Sequence, residues 1–201
     1  MTPVKRLFDL GVAIFLTPFV LPMMALVTLA ILLIDGRPVF HVSERMCTPS
    51  RAFGLMKFRT MRPDPGDRGV TGGDKGDRIT RLGRFLRRTR LDELPQLINL
   101  WRGDISAVGP RPPLRDYVER FPDIYARVLQ SRPGITGLAT IQFNRHERLL
   151  LARSRSAEET DAIYCRACIP RKARLDLIYQ AHQSLCFDLE IILKTFVPSL
   201  R

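Results

Sequence analysis

The sequence predicts a mostly helical α+β protein with one membrane-inserted helix at its N-terminus. Three observations predict this fold class: an uncharged apolar run at 10–34, two short β-type runs between 38 and 61, and helical periodicity in several segments between 78 and 196. Apolar residues that recur every three or four positions indicate amphipathic helices, and alternation indicates strands. We therefore expect a short β-hairpin followed by several amphipathic helices at the membrane surface.

The net charge narrows the class of partner. The 201 residues contain 32 Lys and Arg against 20 Asp and Glu, which gives a formal net charge of +12. Such a balance indicates an anionic partner, namely nucleic acid, anionic lipid or a phosphorylated substrate, unless it only solvates a basic face. Most of the cations are arginines, which favour bidentate recognition of phosphate.

The uncharged run Leu10–Ile34 is long enough to enter a membrane. As a helix it would extend roughly 37 Å, which exceeds the bilayer core of about 30 Å. A buried core helix of this length and apolarity would be unusual in a chain of 201 residues. We therefore expect this run to insert into a bilayer.

Two prolines and the flanking charges predict that the run does not cross the bilayer. Pro18 and Pro22 each remove a backbone donor and clash with the preceding turn. Lys5 and Arg6 precede the run, and further cations follow it between 37 and 59. The positive-inside tendency places both flanks in the cytoplasm, which a re-entrant helix broken at the prolines satisfies. The alternative is a tilted, kinked span with a basic domain outside.

A β-hairpin is predicted after the apolar run. The segments 38–42 and 52–61 are β-type runs separated by turn residues. Lys57 and Arg59 lie two positions apart, so we expect both cations on one face of a strand. Residues 63–77 are rich in Gly, Pro and Asp and predict a loop, whose Asp spacing does not fit a calcium-binding loop.

A basic amphipathic helix is predicted at 78–88. Ile79, Leu82 and Leu86 form its apolar stripe, and four arginines form the other side. The arginine side has three interpretations, which are a solvated face, a face for lipid headgroups and a phosphate clamp.

The acidic pair Asp92-Glu93 is predicted to open the next helix. Asp92 is a good N-cap, Pro95 falls in the first turn, and Gly103 ends the helix. A carboxylate at a helix N-terminus lies in positive potential, so it stays ionised and can hold a metal or attack an electrophile. The alternative is a cap without chemistry. The predicted apolar face consists of Leu94, Leu97, Ile98 and Trp101.

Two arginines beside prolines follow the acidic pair. Arg111 stands between Pro110 and Pro112, which hold it in an extended conformation. A guanidinium fixed in this way loses less entropy when it binds a phosphate. Arg132 precedes Pro133 in a second loop of this kind. Two such arginines near an acidic pair favour a phosphate site.

The rest of the chain is predicted to be helical. Two short amphipathic helices fall at about 114–121 and 123–130, and 145–171 is charged and helix-prone. The region 174–196 is either core or an amphipathic helix on a membrane surface. The single CxxC at Cys165 lacks a second CxxC and a His pair, so zinc is not indicated.

Seven short motifs occur along the chain in a fixed order. They are Lys5–Asp9, Lys57–Met61, Asp77–Gly83, Leu91–Gln96, Val108–Pro112, Arg132–Gly137 and Leu175-Asp176 with Tyr179. In this order they resemble the bacterial monotopic phosphoglycosyl transferases, also called bacterial sugar transferases. The chain is similar to the small members that consist of the catalytic core. Leu138 stands where that family often has Trp, and 145–171 is longer than in the smallest members.

The resemblance implies a two-step sugar-phosphate transfer. A nucleotide diphospho-sugar, usually UDP-linked, binds, and the carboxylate matching Asp92 attacks the phosphorus that bears the sugar and expels UMP. Polyprenol (undecaprenyl) phosphate then attacks the phosphosugar–aspartyl enzyme and leaves as polyprenyl-diphospho-sugar. This reaction would be the first membrane step in the assembly of a glycan.

The resemblance also implies the residues of the site. A Mg²⁺ ion would be held by Glu93 with Asp92 beside it, and it would shield the charge around the phosphorus. The substrate phosphates would be bound by Lys57, Arg59, Arg111 and Arg132.

We expect two parts, a re-entrant membrane anchor at 1–36 and a cytoplasmic catalytic domain at 37–201. They would lie at the cytoplasmic face of the bacterial inner membrane, with the lipid bilayer and both substrates as partners. Nucleic acid is not expected, and a homodimer is left open. Two alternatives remain, a non-catalytic basic protein that binds membranes or nucleic acid, and a membrane-associated phosphohydrolase with water as the acceptor.

Overall fold

The computed structural model describes residues 2–64 and 69–196 and is mostly helical. Two small sheets of two strands each accompany the helices. The mostly helical α+β class is therefore confirmed. The helices are α1 Pro3–Ile34, α2 Arg81–Thr89, α3 Gln96–Arg102, α4 Arg115–Arg120, α5 Pro122–Val128, α6 Leu138–Leu151, α7 Ala157–Ile163, α8 Ile169–Ala181 and α9 Leu185–Phe196. The strands are β1 Phe40–Met46, β2 Ala52–Phe58, β3 Ser106–Val108 and β4 Gly134–Thr136.

Helix α1 is continuous through Pro18 and Pro22. The predicted break therefore does not divide the run into two separate helices. A proline removes one hydrogen bond and bends a helix, but the bonds on either side can hold the helix together. The Thr17 hydroxyl donates to the Ala13 carbonyl at 2.7 Å in the turn before Pro18. The helix is long and apolar enough to cross a membrane by length and composition, and its re-entrant course stays a prediction.

Both ends of α1 bury side chains against the rest of the chain, whereas its middle packs on one side only and exposes the other. Ala13 is fully buried in a core cluster near the N-terminal end. Val27 and Ile31 are buried with Phe58 and Leu86 near the C-terminal end. Between these contacts lies a series of large exposed apolar side chains. They are Ile14, Phe15, Phe19, Leu21, Met23 and Leu26.

The predicted β-hairpin is confirmed. Strands β1 and β2 pair antiparallel, with Phe40 opposite Phe58 and His41 opposite Lys57. Arg59 comes directly after β2, and its backbone N–H still donates to the Val39 carbonyl at 2.8 Å. The hairpin therefore places Arg59 next to the end of α1, where its side chain donates to the Asp35 carbonyl.

The predicted loop at 63–77 contains a short 3₁₀ helix, Gly73–Arg78, while 65–68 lie outside the described residues. Distant contacts that local sequence does not encode hold this turn. The Gly73 N–H donates to the Ser154 hydroxyl, and the Thr160 hydroxyl donates to Asp74. The following helix α2 begins after Thr80, whose side chain accepts from the Gly83 N–H at 2.8 Å.

The helix predicted to begin at Asp92 begins instead at Gln96, so the N-cap assignment was wrong. Arg90 adopts a left-handed conformation with φ 61°, which ends α2. The chain then makes the 3₁₀ turn Leu91–Glu93, and the acidic pair lies in that turn. Gly103 ends α3 with φ 78°, as predicted.

The buried face of α3 also differs from the prediction. Leu97 and Leu100 point into the core, whereas Trp101 is 41% exposed. The fully buried Asn99 joins α3 to β2, because it accepts from the Met56 N–H and donates to the Gly54 carbonyl. Because the buried face of α3 is centred on the polar Asn99, it does not coincide with the apolar face that periodicity predicted.

Strands β3 and β4 pair in parallel and bring two distant loops together. Gly109 and Gly134 lie so close that a Cβ on Gly109 would come within 2.1 Å of the Arg132 carbonyl oxygen. The loop that carries Arg111 is therefore fixed against the loop that carries Arg132. Helices α4 to α8 pack around a second core, which includes Tyr117, Val128, Phe143, Tyr164 and Ile169.

Candidate active site

A cavity of about 1440 Å³ lies between the hairpin, the 3₁₀ turn at 91–93 and helices α6 and α8. It is lined at one end by both members of the acidic pair together with Lys57 and Arg111. Arg45 of β1 also lines it and donates to the Pro112 carbonyl at 3.4 Å. Four segments that are distant in sequence therefore meet at the acidic pair.

Glu93 is held by three cations. Its Oε1 accepts from Arg111 Nη2 at 2.7 Å and from Lys57 Nζ at 3.2 Å, and its Oε2 accepts from Arg90 Nη2 at 2.8 Å. Burial alone would raise the pKa of Glu93, but the three cations outweigh it and hold the pKa well below its usual range. Glu93 is therefore ionised, with both oxygens engaged.

Asp92 lies in a different electrostatic environment. Its side chain is 8% exposed, and it makes no hydrogen bond or ion pair within residues 2–64 and 69–196. Burial raises its pKa, the charge of Glu93 adds to the rise, and Lys57, Arg87 and Arg111 offset part of it. The helix N-terminus that was expected to lower the pKa of Asp92 is not there, because α3 begins at Gln96, and burial acts in the opposite direction. Asp92 is instead a carboxylate with a raised pKa and free lone pairs at the edge of the cavity.

Lys57 faces the same pair from β2. The pKa of Lys57 is lowered to about 8, chiefly by burial and then by Arg111, while Glu93 and Asp92 act in the opposite direction. Arg111 is ionised, because Glu93 raises its pKa above the ordinary value. The end of the cavity therefore presents fixed positive charge around a carboxylate, which suits a phosphate.

Arg90 is a site residue that the sequence analysis did not single out. Its left-handed backbone costs about 1–2 kcal/mol for a residue with a side chain. This conformation ends α2 and directs the guanidinium to Glu93, three positions further on. The three-residue spacing from Arg90 to Glu93 was a usable signal, because side chains at that spacing meet on a helical turn.

Two of the predicted phosphate ligands, Arg59 and Arg132, do not contact the acidic pair. Arg59 lines the cavity, but its Nη2 donates to the carbonyls of Asp35 and Gly36 at 2.7 Å each and so caps the end of α1. Arg132 does not line this cavity. Its carbonyl packs against Gly109 instead, because β3 and β4 draw the two loops together. The structure thus brings Lys57 and Arg111 to the acidic pair and leaves Arg132 outside.

The donor set for a metal ion is small. Within the described parts of the chain, no group of three or more His, Cys, Asp or Glu could hold a metal. Asp92 and Glu93 are adjacent, and Asp92 has free oxygens at the cavity. Mg²⁺ needs only one or two protein carboxylates when phosphate oxygens and water complete its shell. The pair therefore fits Mg²⁺ that arrives with a phosphorylated substrate.

Comparison with known proteins places these features in a family. The sequence matches the bacterial sugar transferase family over residues 1–201. It is 38% identical to the UDP-glucose:undecaprenyl-phosphate glucose-1-phosphate transferase of Caulobacter vibrioides, over 98% of this chain and 69% of that protein. It is 32% identical to the protein of that name in Escherichia coli, over 95% of this chain and 39% of that protein.

A third relative is named for a different sugar. It is the UDP-N-acetylgalactosamine-undecaprenyl-phosphate N-acetylgalactosaminephosphotransferase of Aeromonas hydrophila. The two sequences are 35% identical over 69% of this chain and 34% of that protein. The chain therefore spans less than half the length of the Aeromonas and Escherichia relatives.

Proposed function

The chain belongs to the bacterial sugar transferase family, and from this premise we propose that it transfers a sugar 1-phosphate from a UDP-sugar to undecaprenyl phosphate. Relatives named for this reaction with glucose and with N-acetylgalactosamine support the proposal. The observation that carries it is the contrast within the acidic pair. Glu93 is held by three cations, and its neighbour Asp92 makes no ion pair within 2–64 and 69–196 and lines the same cavity as two of those cations, Lys57 and Arg111.

In the first step, Asp92 forms a bond to the sugar-bearing phosphorus, and the bond from that phosphorus to the bridging oxygen breaks. The bridging oxygen keeps the electron pair and leaves as part of UMP. Asp92 suits this role better than Glu93, whose charge is neutralised and whose orientation is fixed by Arg111, Lys57 and Arg90. Glu93 Oε2 accepts from Arg90 alone and so keeps a lone pair for a metal ion. A raised pKa also makes a carboxylate a stronger nucleophile once it is ionised.

In the second step, a phosphate oxygen of undecaprenyl phosphate attacks the same phosphorus and releases Asp92. The covalent intermediate lets the water-soluble donor and the lipid acceptor use one site in turn. The anionic nucleophile and the phosphates need opposite charge nearby, which Lys57 and Arg111 supply. Neither step requires Lys57 to give up its proton.

Mg²⁺ is part of the proposal, with Asp92 and Glu93 as its protein ligands. When bound, it would neutralise charge that develops on the phosphate oxygens. Lys57 and Arg111 would then hold Glu93 in a fixed orientation towards the metal and the phosphates. Removal of divalent cations by EDTA should therefore abolish UMP release.

The packing of α1 supports a re-entrant helix at the cytoplasmic face. Lys5, near its start, contacts Asp188 at 2.5 Å, and Arg6 donates to the Leu100 carbonyl at 2.8 Å. At its other end, Arg59 donates to the Asp35 carbonyl. A straight span would place the two ends on opposite sides of a core about 30 Å thick. Contacts of both ends with one domain favour a helix that enters and leaves by the same face.

The test is direct detection of the covalent intermediate. The solubilised full chain is incubated with Mg²⁺ and a UDP-sugar, without lipid acceptor, and examined by intact-mass spectrometry. The wild-type chain should gain the mass of a phosphosugar and release UMP. Asp92→Asn should do neither, because an amide does not attack phosphorus. Glu93→Gln should form the same adduct more slowly and need more Mg²⁺.

Two results would contradict this assignment. A phosphosugar adduct in Asp92→Asn would show that another residue is the nucleophile. Steady release of free sugar phosphate by the wild-type chain, without lipid, would indicate that water is the acceptor.

A further inference from the structure

A second buried polar cluster lies in the same cavity, away from the acidic pair. It is formed by α6, α8 and the turn of helix between α7 and α8. Lys172 Nζ donates to Glu147 Oε1 at 2.9 Å and to the Tyr164 hydroxyl at 3.2 Å. Asp176 follows one turn later on α8, and all four side chains line the cavity. The proposed mechanism uses none of them.

Asp176 lacks the partners that a buried carboxylate normally has. It is 7% exposed, yet it makes no hydrogen bond or ion pair within 2–64 and 69–196. The pKa of Asp176 is raised to about 7, chiefly by burial, with Lys172 opposing the rise and Glu147 adding to it. Ionising a buried carboxyl group that has no hydrogen bonds is costly, so its position in a cavity points to a ligand that supplies donors.

Arg111 connects this cluster with the phosphate site. Its largest electrostatic partner is Glu93, and Glu147 also raises its pKa. Both clusters line one cavity, so a substrate whose phosphate is bound at Arg111 can extend towards the second cluster. In a nucleotide diphospho-sugar, both neighbours of the diphosphate carry hydroxyl groups.

The charges of the two clusters favour different ligands. The phosphate end has three cations, Lys57, Arg90 and Arg111, around two carboxylates. The second cluster has two carboxyl groups, Asp176 and Glu147, and one cation, Lys172. Arg111 lies near enough to interact with Glu147, but its guanidinium is held by Glu93. Two further arginines that line the cavity, Arg145 and Arg148, are exposed. Two carboxyl groups against one ammonium favour neutral groups that donate hydrogen bonds over a second phosphate.

We propose that Asp176, with the Lys172–Glu147 pair, binds a pair of hydroxyl groups on the donor substrate. An ionised carboxylate accepts from two adjacent hydroxyls at once, and the lysine ammonium donates to hydroxyl oxygens. The hydroxyls belong either to the ribose or to the transferred sugar, since both are diols next to the diphosphate. The inference rests on the proposed function, because it takes the donor to be a UDP-sugar.

The test measures binding of UMP and of UDP-glucose to the full chain by titration calorimetry. All variants carry Asp92→Asn, so that the donor is not consumed during the titration. Asp176→Asn keeps the shape of the side chain and removes its charge. The matched control is Asp123→Asn, an exposed carboxylate that lies outside the cavity. A second variant, Glu147→Gln, removes the partner of Lys172.

Asp176→Asn should weaken UDP-glucose binding at least tenfold, because a hydrogen bond to a charged group contributes on that order. Glu147→Gln should act in the same direction, and Asp123→Asn should bind like the parent. Equal weakening of UMP would assign the hydroxyls to the ribose. Weakening of UDP-glucose alone would assign them to the sugar. Unchanged binding of both ligands in Asp176→Asn would overturn the proposal.

Failure of the proposed function would look different. The wild-type chain is therefore assayed for UMP release with UDP-glucose, UDP-galactose and UDP-N-acetylgalactosamine, and the best donor replaces UDP-glucose in the titrations. If no UDP-sugar releases UMP, the transferase proposal fails. If UMP is released but Asp176→Asn binds the donor normally, only the hydroxyl site is wrong. Thermal unfolding in the presence of UMP shows that each variant is folded.

Discussion

Asp92 and Glu93 are adjacent in sequence, yet their pKa values shift in opposite directions. Glu93 receives three cations and becomes a stronger acid, whereas Asp92 is buried beside it without a partner and becomes a weaker one. The sequence shows two carboxylates in one turn but not which distant residues reach each of them. Lys57 comes from β2 and Arg111 from the loop after β3, so only the folded chain assigns different roles to the pair.

Arg111→Lys should lower kcat/KM by about tenfold or more, which is about 1.4 kcal/mol of transition-state stabilisation. Arg111 uses one nitrogen, Nη2, to hold Glu93 at 2.7 Å, and its other guanidinium nitrogens remain for a phosphate. The ammonium of a lysine at this position cannot hold Glu93 and bind a phosphate with two parallel hydrogen bonds at the same time. UMP release measures the effect, and the control is Arg115→Lys, which alters an exposed ion pair with Glu44. Unchanged kinetics in Arg111→Lys would exclude Arg111 as a bidentate ligand of the substrate phosphate.

The raised pKa of Asp92 predicts how the rate of adduct formation falls at low pH. Protonated Asp92 does not attack phosphorus, so adduct formation should fall as the pH drops through a value above the ordinary aspartate pKa. Glu93→Gln removes a negative neighbour that raises this pKa and leaves the cations Lys57 and Arg111 in place. The acidic limb should therefore move to lower pH in the variant. The rate of adduct formation between pH 4 and 8 measures it, and a move to higher pH would contradict the cause assigned here.

Helices and strands were predicted well where local patterns decide and poorly where contacts between distant segments decide. The hairpin and the end of α3 at Gly103 follow from alternation and from glycine, and both are present. The start of α3 was misplaced because Arg90 adopts a left-handed conformation that local sequence does not signal. The 3₁₀ helix at 73–78 was missed because its contacts come from Ser154 and Thr160.

The same distinction applies to the candidate site. Arg111 and the acidic pair were identified from residue type and spacing, Lys57 was added by the family resemblance, and all four residues do meet in one cavity. Arg59 and Arg132 have the same chemistry, but packing gives them other positions. An arginine beside a proline is recognisable in sequence. Whether its guanidinium faces a cavity depends on how the strands pair.

Gly109→Ala should destabilise the protein by about 1–3 kcal/mol, because its Cβ would overlap the Arg132 carbonyl oxygen at 2.1 Å. Strands β3 and β4 would have to separate, and the loop bearing Arg111 would move. We therefore expect a lower unfolding temperature together with weaker UMP binding. Gly11→Ala is the matched control, since a Cβ there meets nothing within 4 Å. Equal stability of the two variants would show that this close approach is not required.

Helix α1 is the element that would decide how the protein sits relative to a bilayer. Both of its ends contact one domain, and one side of its middle exposes large apolar side chains between Ile14 and Leu26. Pro18 and Pro22 lie in the same part of the helix. The helix therefore has an apolar face that the described part of the chain leaves uncovered, which fits the proposed insertion into lipid.

Replacing Pro18 and Pro22 together by Ala should shift part of the population to a spanning form with its N-terminus outside. Alanine restores the missing N–H groups and favours a straight helix. The measurement uses a single Cys at Thr2 in a background without native cysteines, probed in intact cells with a membrane-impermeant thiol reagent. The parent should stay unlabelled, and the double variant should gain label. Strong labelling of the parent would mean that α1 spans the bilayer.

The buried ion pair between Lys5 and Asp188 has a consequence for biosynthesis. The two residues are 183 positions apart, and each is almost fully buried. A ribosome that adds about 5–20 residues per second needs roughly 10–40 s to make the intervening chain. During that time the first turn of α1 has been synthesised, but its partner on α9 has not. The nascent helix therefore begins without the partner of Lys5, and the Lys5–Asp188 contact is among the last that the chain can make.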